Sequence, residues 1–116
     1  MILPGEDQAA SKPPRFEPGA LVRHLRYGYR GVVVALDLAC TAPDSWYLSN
    51  QSQPRRDQPW YHVLVDDATH ATYVAQENLE RDPSGQAVRH PLVPLFFEPY
   101  DGRRYLRNDR PWGTFG

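Results

Sequence analysis

The chain has 116 residues, 41% of them hydrophobic, and its 12 prolines and 8 glycines leave almost no room for an uninterrupted amphipathic helix. That length supports one domain with a modest core, and the punctuation excludes a helical bundle. A formal net charge of −1 and a pI near 6.4 exclude the global basic field of a dedicated duplex-binding domain, so any contact with nucleic acid falls to a local patch.

Residues 1–15 are rich in proline and small polar residues, end in Lys12-Pro13-Pro14-Arg15, and show no hydrophobic period. They predict a flexible arm. Phe16-Glu17-Pro18-Gly19 reads as a turn into a first strand over roughly 20–26, which alternates Val22 and His24 against Leu21, Arg23 and Leu25. The Tyr27–Gly31 turn follows, with two glycines, Gly28 and Gly31, that are free to adopt positive φ. It returns the chain into a second strand over about 31–38, where Val32–Leu36 is a continuous apolar run.

Between Cys40 and Pro59 the pattern becomes polar apart from Trp46, Tyr47 and Leu48, and a connection of this length is more often functional or mobile than inert. Asp44 or Ser45 is placed to cap a single helical turn that carries Trp46 or Leu48 to the core. The third strand, 59–65, alternates Trp60, His62 and Leu64 against Tyr61, Val63 and Val65, so both of its faces want burial and it belongs at the centre of a sheet or in a barrel wall. A polar turn at Asp66–His70 leads to a strand at Ala71–Ala75, then a short helical turn at Gln76–Leu79 and a brief closing strand at Glu80–Asp82. These elements predict a mainly β fold over residues 16–82: a small SH3-like barrel of four to five antiparallel strands with a long loop after the second.

Residues 83–116 form a C-terminal extension. Its apolar part, His90–Phe97, reads as a short Pro-initiated helix or an extended strap, with Phe96 and Phe97 packing on the barrel or docking on a partner. Its polar part sets Arg103, Arg104, Arg107 and Arg110 among Tyr100, Tyr105 and Trp112, with Asp101 and Asp109 partly neutralising them. Met1-Ile2-Leu3 is interrupted at once by Pro4-Gly5-Glu6-Asp7, no stretch approaches the ~20 apolar residues of a membrane span, and Cys40 is the single cysteine. A soluble, cytoplasmic protein is the expectation.

Cys40, His24, His62, His70 and His90 lie in no nucleophile elbow, and neither paired metal-ligand spacing nor a Gly-rich phosphate loop is present. No catalysis, no metal and no cofactor are expected, and the strand histidines read as half-buried residues hydrogen-bonded within the barrel. What remains is a binding surface. Arg23, Arg26 and Arg30 interleave with His24, Tyr27 and Tyr29 around the first hairpin, a mixture of guanidinium forks and rings that suits phosphates, exposed bases or a peptide. On the bland alternative, the tyrosines cap the barrel end and the arginines are solvated. All but Lys12 of the 13 basic residues are arginine, a bias that recognition and genome composition both explain.

Gly19, Val22-Arg23-His24, Gly28-Tyr29-Arg30-Gly31-Val32-Val33 with Asp37, Gln58-Pro59-Trp60-Tyr61-His62-Val63-Leu64 and Tyr73-Val74-Ala75-Gln76-Glu77-Asn78-Leu79 together resemble the YccV-like or HspQ family, also called the hemimethylated-DNA-binding domain. The resemblance covers residues 19–79. It implies an SH3-like barrel without catalytic activity, and one of two roles: binding DNA methylated on one strand, or a heat-shock and stress-linked adaptor for substrate handling by a Lon-type protease. His90-Pro91, Tyr100–Tyr105 and Asn108 look more like the version of the domain found in a eukaryotic F-box protein, where the context is again protein turnover. Near-neutral charge supplies few phosphate partners and so implies weak, salt-sensitive DNA binding, whereas Trp60, Tyr61, His62 and Tyr73 with the Leu92–Phe97 segment offer an apolar patch to a protein. The composition therefore favours a protein partner over DNA, and the family resemblance also allows self-association.

Overall fold

The Val32–Leu36 run lies at the centre of a five-stranded antiparallel sheet of order β4-β3-β2-β1-β5. This is a computed structural model, and it describes residues 12–113. The strands are β1 (Leu21–His24), β2 (Arg30–Asp37), β3 (Trp60–Val65), β4 (Ala71–Ala75) and β5 (Leu79–Arg81). A single 3-10 turn, Gln76–Asn78, joins β4 to β5, although these two strands lie at opposite edges of the sheet. So short a link spans the two edges because the sheet curls on itself, which gives the expected small SH3-like barrel.

The first hairpin uses its two glycines differently. Gly28 takes φ +76° in the turn, as expected, but Gly31 does not have positive φ. Gly31 is instead a point of close approach: a Cβ there would lie 2.4 Å from Val63 Cγ1 and 2.5 Å from the Leu64 carbonyl oxygen. The turn is organised by His24, which ends β1 and whose Nδ1 accepts the backbone N–H groups of Arg26 (3.0 Å) and Tyr27 (3.1 Å).

Strand alternation builds two cores. Inside the curl, Val22, Val33, Tyr61, Val63, Val74 and Leu79 pack with Phe16. The Tyr61 hydroxyl receives the N–H groups of Arg15 and Phe16 and donates to Gln76 Oε1 at 2.5 Å, so the polar end of this buried ring is satisfied. Of the arm expected over residues 1–15, only residues 12–15 fall within the described chain, and there Arg15 N–H also binds Gln76 while the Pro13 carbonyl accepts from Gln76 Nε2.

On the convex side Leu21, Val32, Val34 and Leu64 are covered by Val88, Phe96, Phe97 and Tyr105 of the C-terminal extension. A bulge in β2 adds to this second core. Val33 pairs with Val63 and Ala35 with His62, so Val34 and Ala35 face the same way in succession. The bulge carbonyl of Val34 accepts from Arg107 Nε at 2.7 Å, and the Arg107 guanidinium lies 4.9 Å from the centre of the Phe96 ring. The apolar part of the extension is thus a short helix, α2 (Val93–Phe96), and both phenylalanines pack back on the barrel.

The long loop contains the other helix, α1 (Asp44–Ser49). Pro43 occupies its N-cap with no side-chain bond, where Asp44 or Ser45 had been the expected cap, and none of its residues is buried. Trp46 and Leu48 do not reach the core, retaining 36% and 67% exposure. A six-residue helix tethered outside the sheet has no core to enter, because the second core is already filled by the extension.

Candidate binding groove

α1 is held over the end of β3 by bonds within its loop and by one between the loop and β3. Cys40 N–H donates to the Arg56 carbonyl, Tyr47 Oη to the Pro54 carbonyl at 2.7 Å, and Trp60 Nε1 to the Arg55 carbonyl at 3.2 Å. Gln58 locks the loop end to the 3-10 turn by a reciprocal pair with Glu77, accepting its backbone N–H and donating to its carboxylate. Trp46 then meets Trp60 edge-on at 6.2 Å between centroids and Tyr73 at 5.7 Å. Trp60 and Tyr73 lie 5.3 Å apart, and His62 stacks on Tyr73 at 4.4 Å. Trp112 of the extension completes the row, 5.7 Å from His62.

These rings wall one side of a groove of about 630 Å³ that follows β4 and continues to His24, Tyr27 and Tyr29 at the first hairpin. Tyr29 is fixed there by a 2.8 Å bond between its hydroxyl and that of Thr72. Among the described lining residues Arg26 carries the one formal charge. Burial pushes the His24 pKa down, with the Arg26 charge adding to the effect, and burial also lowers His62 against the opposing pull of Asp37, 3.5 Å from its Nε2. Both shifts favour the neutral ring. Tyr73 donates to Asp37 at 2.6 Å, and burial first, then that carboxylate, push its pKa up to about 12. The groove is therefore aromatic and almost uncharged, with Tyr29, Tyr47, Trp60 and Tyr73 held by hydrogen bonds.

The family model described as hemimethylated DNA-binding protein YccV like matches residues 14–104. The chain belongs to the YccV-like family. F-box only protein 21 of Homo sapiens and of Mus musculus each share 37% identity over 93 residues, as does that of Pongo abelii. Those alignments cover 78% of this chain and 15% of each relative, so the chain spans about 15% of the length of the curated relatives it matches.

In this YccV-like chain the residues singled out from the sequence divide into two groups. His24, Arg26, Tyr27, Tyr29, Trp60, His62 and Tyr73 all line the groove. Arg23, Arg30 and Tyr61 do not. Arg23 points to the β5 side and pairs with Glu80, and Tyr61 is fully buried in the inner core. Arg30, read from the sequence as a hairpin-tip cation, binds Asp66 at 3.0 Å, Asp82 at 2.7 Å and the Gln86 carbonyl at 2.5 Å. Of the apolar patch expected from Trp60, Tyr61 and Tyr73 with the Leu92–Phe97 segment, Trp60 and Tyr73 line the groove and Leu95 is exposed, but Tyr61, Phe96 and Phe97 are buried in the two cores.

Sequence reasoning missed Trp46, Tyr47 and Trp112 as groove residues. The available signal was a pair of large rings in a polar loop too short to form a core of its own. Among the described residues no group of three or more His, Cys, Asp or Glu side chains is placed to hold a metal ion, and no helix is long and apolar enough to cross a membrane.

Proposed function

We propose that this YccV-like chain is a non-catalytic interaction module whose aromatic groove receives a protein partner, in a setting of proteolysis and stress response such as a Lon-type protease or its substrates. The observation that carries the reading is the groove's charge. Duplex recognition draws on several phosphate contacts, and a groove with one cation supplies one. Rings of Trp and Tyr with a thin polar rim are what the anchors of a protein segment fill. The test is a pull-down with the full chain from lysate of the source cell, compared with a Trp46→Ala variant. A protease or chaperone component retained by the first and lost by the second is expected. Nucleic acid eluting at ~0.15 M salt with no such component would reverse the reading.

A second reading, binding of hemimethylated DNA, is favoured by the description of the family. With Arg23 and Arg30 committed to ion pairs, its phosphate contacts fall to Arg26 at the groove and to Arg81, Arg103 and Arg104 in a second cleft, where Glu17, Asp82 and Asp101 oppose them. Unmethylated, hemimethylated and fully methylated duplexes compared across a salt series decide this: equal affinity for all three removes methyl recognition.

A further inference from the structure

The groove follows β4 along its whole length, and β4 is an edge strand with its outer side open. In an antiparallel pair, successive residues turn their backbone groups alternately toward and away from the partner strand. Val65 N–H donates to the His70 carbonyl and Gln76 N–H to the Pro59 carbonyl, which fixes the phase. Residues 72 and 74 therefore face β3, and Ala71, Tyr73 and Ala75 turn their N–H groups outward, with the carbonyls of Ala71 and Tyr73 beside them. The Ala75 carbonyl lies at the N-cap of the 3-10 turn.

Exposed edges are ordinarily blunted by charge, proline or a bulge. β4 reads Ala-Thr-Tyr-Val-Ala and pairs with β3 without a register shift, so it has none of these. At the rim stands Arg26, exposed and in no ion pair among the described residues.

We propose that an extended segment of a protein partner adds to β4 as a further strand, setting alternate apolar side chains against Trp46 and Tyr73 on one side and Tyr27 and Tyr29 on the other, with an acidic side chain opposite Arg26. Main-chain bonds to Tyr73 and its neighbours hold the segment, and the rings select its side chains. The acidic residue follows from the lining, which offers a cation and no carboxylate. For the same reason a second copy of β4 is the poorer occupant: Ala71–Ala75 has no acid to give to Arg26.

This inference rests on the interaction-module reading, and its test separates the two. A display library of linear peptides of about ten residues, long enough to cover β4, is selected on the full chain, and the strongest binder is synthesised. N-methylation of single amides should weaken it roughly tenfold at alternate positions and leave the intervening ones unaffected. Ala71→Pro removes one outward N–H at the first residue of an edge strand, where proline is tolerated, and should weaken binding by a similar roughly tenfold factor with the circular dichroism spectrum unchanged. Arg26→Gln should weaken the acidic peptide and leave its Asp→Asn or Glu→Gln version unaffected. Binding that is lost in Trp46→Ala yet indifferent to every N-methyl group overturns strand addition and leaves the module reading standing. Self-association abolished by Ala71→Pro overturns the choice of a foreign partner, and a library without binders beside a chain that binds duplex DNA overturns the module reading itself.

Discussion

The convex face of the sheet is covered in two ways. Around Val32, Val34 and Leu64 the chain lays down Phe96, Phe97 and Tyr105, none more than 4% exposed. Around Trp60, His62 and Tyr73 the cover is α1, which buries none of its own residues. Both halves are apolar, so alternation along β2 and β3 does not distinguish them. The difference lies in the covering element. The extension is bonded into the barrel at Val34, whose carbonyl accepts from Arg107, at Asp67, whose N–H donates to the Arg89 carbonyl, and at Gly19, whose carbonyl accepts the Tyr105 N–H, whereas α1 is held mainly through its loop and leaves a groove beside it. Permanent burial and an open aromatic groove are thus built on one sheet from the same residue types.

The comparison breaks most readily at Phe96. If the extension is structural, Phe96→Ala removes a ring with no exposed surface from beneath Arg107 and Trp112 and should cost ~3 to 5 kcal/mol in chemical denaturation. A loss below ~1 kcal/mol would mean that the extension detaches at little cost and that both halves of the face are equally open. Next in size is Arg30→Ala. It leaves Asp82, whose side chain is 3% exposed, without its cation, and removes the tie to Gln86 where the extension begins. Because Arg30 keeps partial contact with water, we expect ~2 to 3 kcal/mol, just below the ~3 to 5 kcal/mol for breaking a fully buried pair. The same denaturation measurement reads it.

Much of this architecture was legible in the residues. The hairpin around Gly28, the pairing of β3 with β4, the 3-10 turn and the closing strand follow from alternation and turn chemistry, which are local. The double-sided burial of β3 was legible too, but not what covers each side: Leu64 meets the extension from far along the chain, and no periodicity encodes that meeting. The roles of the arginines were hidden for the same reason. Arg23, Arg26 and Arg30 look alike in sequence, and only the fold brings Glu80 to the first and Asp66 and Asp82 to the third, leaving Arg26 at the groove. Gly31 shows the limit in miniature, since its reason is the Val63 side chain on the neighbouring strand rather than its own φ.

Acidification tests the two halves together. Burial holds His24 and His62 in the groove, and His90 on the extension side, below the ordinary histidine pKa of 6.5. Below that pH the unfolded chain takes up protons that the folded chain refuses, so stability is complete above about 6.5 and declines as the pH falls toward 5. His90 and His24 each refuse for a geometric reason as well: Nδ1 already accepts a backbone N–H, from Leu92 in one case and from Arg26 and Tyr27 in the other. Unfolding midpoints followed from about pH 7 to 5 should fall, and a His90→Gln variant should flatten part of the decline. A profile indifferent to pH would show that these rings protonate freely in the folded state.

The smallest expected change in stability is at Trp46. Its ring keeps 36% exposure and meets Trp60 and Tyr73, so Trp46→Ala removes two aromatic pairs and partial burial, about 1 to 2 kcal/mol in all. That figure sets it apart from Phe96, a smaller ring whose removal should cost about twice as much or more. If α1 is a wall of the groove rather than a lid on a core, the two variants part in opposite directions: Phe96→Ala unfolds early in denaturant, and Trp46→Ala unfolds almost with the wild type while losing the partner. A Trp46→Ala loss as large as that of Phe96→Ala would make the aromatic row a third core and leave the face of the sheet with no side built for binding.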